Sequence, residues 1–248
     1  MKKIDQQLEI FSRQLILKDF NEKNFKKIQS KHITIIGLGG IGCPLAKYLV
    51  SSGVRKITLI DHDKVNLSNL NRQILFTTND LGKLKTTVAY KRLKNINPKS
   101  KIKIIAKKIT KKNINNILNK NTIVVDATDN WKAMNIINNF CVKNFIPLLS
   151  TSVVGYDGQI ILLKNNKKHH LCLNCIFPNK NEPELARCET VGVLGIAAGL
   201  VGLISAQMII NYIINFNDLN EKLLLINSKS MKIEEIKVKK NKFCRNNV

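Results

Sequence analysis

Acidic side chains are scarce: 17 Asp and Glu stand against 41 Lys and Arg in 248 residues, a formal net charge of +24. Such an imbalance ordinarily points to a nucleic acid or an acidic membrane surface. Here the lysines are spread with Asn and Ile along the whole chain, as in 101–105 and 113–117, and only the tail from Lys229 to Arg245 is locally basic. A solvated edge accounts for that tail, so no nucleic-acid partner is expected. Proline is also sparse, with 5 residues, and neither a Pro/Gly/Ser-rich linker nor an internal repeat divides the chain. The expectation is a single domain over 1–248. The start, Met1-Lys2-Lys3-Ile4-Asp5, carries charge where a secretory leader needs an apolar core, which leads us to expect a cytoplasmic protein. Apolar residues are not lacking; at 44% they fill a core and exclude wholesale disorder. One run, Val191 to Ile214, approaches the length of a membrane span. Gln207 and Asn211 fall a helical turn apart within it and no basic residues flank it, so it reads as a buried helix, with no membrane partner.

Short β-branched runs alternate with amphipathic stretches through the first half. Strands are expected at 32–36, 56–60, 102–106, 122–126 and 147–151, with helices at 41–52, 82–95, 114–118 and 131–144. Strands separated by helices imply a mostly parallel, Rossmann-like α/β sheet. Beyond Ser152 the rhythm changes to a turn at 155–158, a strand at 159–163, a long polar segment at 165–190, the apolar helix, and strands at 223–226 and 233–238. These suggest an antiparallel C-terminal extension of the same sheet. The nucleotide-binding half is thus 1–152, and 153–248 carries the later strands, the cysteine-containing loop and the buried helix.

Gly37-Leu38-Gly39-Gly40-Ile41-Gly42 stands between a strand and a helix, and Asp61 ends the next strand. Glycines let a backbone turn tightly and approach phosphate, a helix N-terminus supplies amides, and an acid accepts from a ribose hydroxyl. The whole context points to a mononucleotide or dinucleotide site at Gly37, Gly39, Gly40, Gly42 and Asp61. By itself the loop does not separate an ATP-using enzyme from a NAD-dependent oxidoreductase.

Four further segments decide between them: Ser12-Arg13-Gln14-Leu15, the run from His62 to Phe76 with Asn71-Arg72-Gln73 at its centre, Gly82-Lys83-Leu84-Lys85, and Val125-Asp126-Ala127-Thr128-Asp129-Asn130. Together, and in this order, they resemble the E1-like (ThiF/MoeB/HesA) adenylyltransferase family, whose members activate the C-terminal glycine of ubiquitin-fold sulfur carriers. The likeness runs from about residue 9 to about residue 240. Segments 71–80 and 175–184 look most like the branch that serves thiamine biosynthesis; the molybdopterin-pathway branch is the alternative.

Chemistry independently supports this resemblance. A carboxylate can approach the α-phosphate of ATP only where cations offset the charge, and a metal-binding acid helps pyrophosphate leave. Arg72 and Lys85 suit the phosphates, Asp129 is the candidate for Mg²⁺, and Asp61 for the ribose. Asn69, Gln73 and Asp63 would complete the pocket as hydrogen-bond partners. Blander accounts exist: Arg72 as a surface ion pair, Lys85 as one lysine on a solvated helix, and Asp129 as the N-cap of the helix at Trp131. The resemblance implies that Arg13 reaches the ATP site of a second protomer, hence a homodimer. The carrier's tail must then thread toward the nucleotide, and the polar segment 165–190 is the candidate cover for it.

Six cysteines remain. Cys172-Leu173-Asn174-Cys175 has the spacing with which two thiolates reach one Zn²⁺, and a tetrahedral site needs two more ligands. The family supplies them as a second Cys-x-x-Cys near the C-terminus; here Cys244 is present but Asn247 stands where its partner would be. A zinc site completed by His169 or His170 and a degenerate site both stay open. Cys188 resembles the cysteine that forms a sulfur linkage with the activated carrier, with Arg187 and the following helix lowering its thiol pKa. A persulfide donor such as a cysteine desulfurase would then be a partner. Cys43 and Cys141 read as core.

Overall fold

The computed structural model describes residues 6–166, 171–178, 191–215, 222–241 and 244. Its centre is one eight-stranded sheet. β1 (His32–Ile36), β2 (Lys56–Ile60), β3 (Lys101–Ile105), β4 (Ile123–Asp126) and β5 (Leu148–Val154) pair in parallel. β6 (Asp157–Leu163), β7 (Lys222–Asn227) and β8 (Lys232–Lys237) continue antiparallel, giving the order β3-β2-β1-β4-β5-β6-β7-β8. Ile33, Ile35 and Ile36 of β1 and Val124 and Val125 of β4 are buried whichever face they point to, as central parallel strands require. β8 lies at the edge and all its residues are exposed.

Helices cover both faces. The chain runs α1 (Gln6–Leu15), α2 (Glu22–Ser30), α3 (Gly42–Ser51) after β1, α4 (Lys85–Ile96) after β2, α5 (Ile114–Ile117), α6 (Trp131–Lys143) after β4, the single turn α7 (Leu173–Ile176), and α8 (Gly195–Ile214). Asn21 starts α2 and Asn130 starts α6, each accepting a backbone N–H in the first turn. The expected α/β order is borne out. The second helix expected in the first half begins at Lys85 instead of Gly82, because Gly82 takes a left-handed φ of +77° and its N–H donates to the Val65 carbonyl. The turn expected at 155–158 tightens to Gly155 and Tyr156, so β6 opens at Asp157.

α8 is the apolar run of the C-terminal half. Among the described residues it is the one helix long and apolar enough to cross a membrane, yet it packs against α3, β5 and β6. Small residues set the approach: a Cβ on Gly202 would lie 2.6 Å from the Ile41 carbonyl oxygen. Asn215, at φ +58°, caps its C-terminus. The reading of a buried helix is correct.

β1 leads to β2 and β3 on one side, and β4 returns on the other. The carboxyl ends of β1 and β4 therefore diverge and leave a crevice, the place where open α/β sheets bind ligands.

Candidate functional site

The glycine segment lies in that crevice. Gly37 has φ +95°, and a Cβ there would stand 2.5 Å from the Ala127 carbonyl oxygen, so the loop after β1 and the loop after β4 meet backbone to backbone. Gly40 lies against Arg72 and Ala198, whose Cβ would be 2.9 Å from an added one, while Gly39 faces open space. Gly42 packs against the Gly37 carbonyl and starts α3. Asp61, buried at the end of β2, pins the loop: its Oδ2 accepts from the Leu38 N–H at 2.7 Å and its Oδ1 from the Asp63 N–H at 2.8 Å. Each carboxylate oxygen still has capacity for a second donor such as a ribose hydroxyl.

A cavity of about 650 Å³ opens over this loop. Its walls include Arg72, Gln73, Lys85, Asp61, Asp63 and Asp129, so six of the expected residues meet in one space with the glycines. The Arg72 guanidinium donates to the Ser68 carbonyl at 2.8 Å and to Asn71 Oδ1 at 3.0 Å; neutral oxygens hold it, where a surface ion pair would use a carboxylate. Lys85 is not on a solvated face: its side chain is 6% exposed and Nζ donates to Asp63 Oδ2 at 3.0 Å. Gln73 is buried and its Oε1 has no partner among the described residues, an acceptor left for a donor in the cavity.

Asp129 sits on the Ala127–Asn130 turn. Asn130, not Asp129, caps α6, accepting from the Ala133 N–H at 3.0 Å, so the capping account of Asp129 does not hold. The turn is held from beneath by Asp126, whose Oδ1 accepts from the Thr128 N–H at 3.0 Å and the Thr128 hydroxyl at 2.7 Å. Burial pushes the Asp126 carboxyl up to about 6; the Thr128 donors oppose the shift and the nearby Asp129 adds to it.

Two expected residues lie elsewhere. Asn69 is outside the cavity lining; its carbonyl accepts the N–H groups of Arg72 and Gln73, so it shapes the turn that presents them. Arg13 is exposed on α1, which packs through Phe11 on Phe25 and through Gln14 on the Ser51 carbonyl, at the end of α3 opposite the glycine loop. The ten residues of α3 separate that end from the loop by about 15 Å.

The cysteines divide as follows. Cys43 and Cys141 are core: both are buried, burial pushes the Cys43 thiol up to about 12, and it raises Cys141 further. Cys172, Cys175 and Cys244 come together, Sγ of Cys172 standing 3.4 Å from Cys244 and 3.9 Å from Cys175. Tetrahedral zinc with Zn–S bonds of about 2.3 Å separates sulfurs by about 3.8 Å, whereas a disulfide needs about 2.05 Å. The donor set fits three corners of a zinc site. At Cys175 burial raises the thiol pKa, but hydrogen bonds from the Asn241 and Cys172 backbone and the two neighbouring thiols outweigh it, leaving the thiol below its ordinary value. Cys188, Arg187, His169, His170 and most of segment 165–190 lie outside the described residues.

This geometry has counterparts. The model of the ThiF family matches residues 11–246. The chain belongs to the ThiF family. The Sulfur carrier protein ThiS adenylyltransferase of Escherichia coli is 34% identical over 234 residues, covering 94% of this chain and 92% of that protein. The Sulfur carrier protein adenylyltransferase of Thermus thermophilus is 29% identical over 249 residues, covering 98% and 92%. The Adenylyltransferase and sulfurtransferase MOCS3 of Culex quinquefasciatus is 34% identical, and the match spans 53% of it. Among solved structures, E. coli MccB with ATP superposes with a TM-score of 0.79 at 24% identity, covering 90% of this chain and 68% of that one, a likeness of fold.

The ThiF-family cavity also has walls that sequence reasoning missed. Lys107 and Lys108 follow β3 and line it, as do Asp157 and Gln159 of β6 and Leu173 and Phe177 around α7. The lysines had a signal, their place just past the carboxyl end of a parallel strand. The β6 residues had none, because dividing the chain at Ser152 set them apart from the nucleotide-binding half.

Proposed function

We propose that this chain is an ATP-dependent adenylyltransferase acting on the C-terminal glycine carboxylate of a ubiquitin-fold sulfur carrier, of the kind that serves thiamine thiazole biosynthesis. One observation carries the reading: a guanidinium, a buried ammonium and a carboxylate with no capping duty, Arg72, Lys85 and Asp129, line one cavity over a glycine loop. A carboxylate oxygen of the carrier attacks the α-phosphorus, the bond to the bridging oxygen breaks, and pyrophosphate leaves with that electron pair. Arg72 and Lys85 offset the negative charge that otherwise repels the nucleophile, and the loop amides receive phosphate oxygens. The carrier's carboxylate is ionised at neutral pH, so no general base is required.

Asp129 would hold Mg²⁺, which supplies charge neutralisation on the leaving pyrophosphate. Asp61 would take the ribose, and the orphaned Gln73 Oε1 would accept from a nucleotide donor. Zinc would bind Cys172, Cys175 and Cys244 with a fourth ligand from outside this set. The reading treats 1–248 as a single adenylation domain.

A homodimer completes it. Arg13 is exposed and far along α3 from its own glycine loop, which fits a role at a second protomer's cavity. Ile196, 74% exposed, and Leu203 form an apolar stripe on α8 for that partner to cover. A persulfide donor would deliver sulfur through Cys188. A reducing, cytoplasmic setting suits the five described cysteines, none of which is in a disulfide.

Carrier-dependent ATP–pyrophosphate exchange is the test. Wild type is expected to exchange, Asp129→Ala to lose exchange, and Cys188→Ser to keep it while failing to thiolate the carrier. Exchange with a molybdopterin-type carrier alone would move the chain to that branch, and tight NAD binding without ATP binding would overturn the reading.

A further inference from the structure

Lys85 occupies an unfavourable place for a cation. It is the first residue of α4, where the helix dipole is positive, no acidic residue lies in the first turn, and Leu84 offers no side-chain cap. Its side chain is 6% exposed, and burying an unpaired ammonium is costly. Among the described residues the carboxylate paired with it is Asp63, 51% exposed, with Oδ2 3.0 Å from Nζ.

The two residues are also joined through the backbone. The Lys85 N–H donates to the Asp63 carbonyl at 3.0 Å, the Val65 N–H to the Lys83 carbonyl at 2.8 Å, and the Gly82 N–H to the Val65 carbonyl at 3.0 Å. Lys64 and Leu84 form an antiparallel bridge between them. This short ladder fixes the Asp63 backbone opposite the start of α4, within reach of the ammonium. Arg72, another cation of the cavity, is held among the described residues by neutral oxygens. Asp63 also lies beside exposed His62, with Nε2 3.4 Å from Oδ1, and beside Asp61, whose Oδ1 accepts its N–H.

We propose that Asp63 is a positioning residue that acts through Lys85: it is the counter-anion that holds the buried ammonium in the cavity between turnovers, and it does not ligate the nucleotide. The carboxylate supplies the anion that the helix start lacks until phosphate oxygens arrive. This rests on the adenylyltransferase reading and adds a residue that serves catalysis without touching substrate.

The test is a double-mutant cycle in carrier-dependent ATP–pyrophosphate exchange, with wild type, Asp63→Asn, Lys85→Met and the double variant. Asp63→Asn is expected to lower kcat about tenfold or more while the KM for ATP moves by less than about threefold, the mark of lost positioning. In the Lys85→Met background the same change is expected to cost less than about twofold. An equal factor in both backgrounds, or full kcat in Asp63→Asn, overturns the proposal. Should Asp63→Asn not melt as a folded protein, Asp63→Glu, which displaces the charge by one methylene, is read by the same criterion. A second readout needs no turnover: acetylation of Lys85 by acetic anhydride, followed by mass spectrometry, is expected to be several-fold faster in Asp63→Asn, and equal rates overturn the proposal. Wild type that exchanges with no carrier would sink the assigned activity, and the acetylation comparison would still judge the role of Asp63.

Discussion

The glycine crevice and the cysteine cluster are built in opposite ways. In the crevice the backbone makes the contacts: Gly37 meets the Ala127 carbonyl, Asp61 is fixed by the amides of Leu38 and Asp63, and Asp126 holds Thr128 by its amide as well as its hydroxyl. The cluster is made of three thiols, and Cys244 comes to it from 72 residues beyond Cys172. It packs into the core beneath α6, and Asn138 of that helix accepts the Leu173 N–H on its Oδ1 at 3.1 Å. A surface formed by main-chain groups is complete before its ligand arrives. Clustered thiols at zinc-edge spacing offer three ligands that an ion would join.

That contrast can be broken at several points. The largest effect is expected in the crevice: Arg72→Ala should reduce exchange by about 10²- to 10³-fold while the melting temperature stays within a few degrees, because removing a charge-stabilising donor costs that much in rate and little in packing. A normal rate would place the phosphates elsewhere. Next, Gly37→Ala should destabilise the protein by on the order of 1–3 kcal/mol in urea unfolding and weaken ATP binding, since a side chain there is strained by its left-handed φ and meets backbone that cannot yield. Unchanged stability would mean that the two loops are not in contact.

At the cluster, Cys172→Ser should lower bound zinc, measured by plasma mass spectrometry, together with the melting temperature, and leave the KM for ATP of the folded enzyme within about twofold. Zinc-free wild type with an unaltered melt would show that the thiols hold no ion. The subtlest effect concerns Asp126. Its folded carboxyl titrates near 6 against 3.8 for the free group, so the folded state binds the proton more tightly. Stability is therefore greatest below about pH 4, declines as pH rises towards about 6, and is flat above. Relative to Asp126→Asn, wild type should lose on the order of 3 kcal/mol over that interval in urea unfolding. A difference independent of pH would mean that the carboxyl is not buried as described.

How far the sequence could be read follows from the same contrast. β1, the glycine loop, α3 and Asp61 lie within thirty consecutive positions, and their alternation of apolar runs, glycines and an acid is the physical cause of the crevice; the observed α3, Gly42–Ser51, differs from the expected 41–52 by one residue at each end. Lys85 and Arg72 were identified by motif order, but nothing in sequence distinguished a lysine buried on Asp63 from one on a solvated helix. Asn130 as the cap of α6 was hidden because Asp129 and Asn130 are equally good caps and only the backbone decides. The gathering of Cys244 with Cys172 and Cys175 was legible through the family resemblance, while no local pattern carries it. The β6 wall was obscured because it belongs to the antiparallel extension while facing the cavity of the parallel half.

One side of the cavity has no latitude. Ala198 of α8 abuts Gly40, and Gly202, one turn on, lies against the Ile41 carbonyl and the Pro44 ring, so helix and glycine loop meet at close range. Any accommodation to a carrier's tail is then expected from walls away from that seam, such as Phe177 after α7.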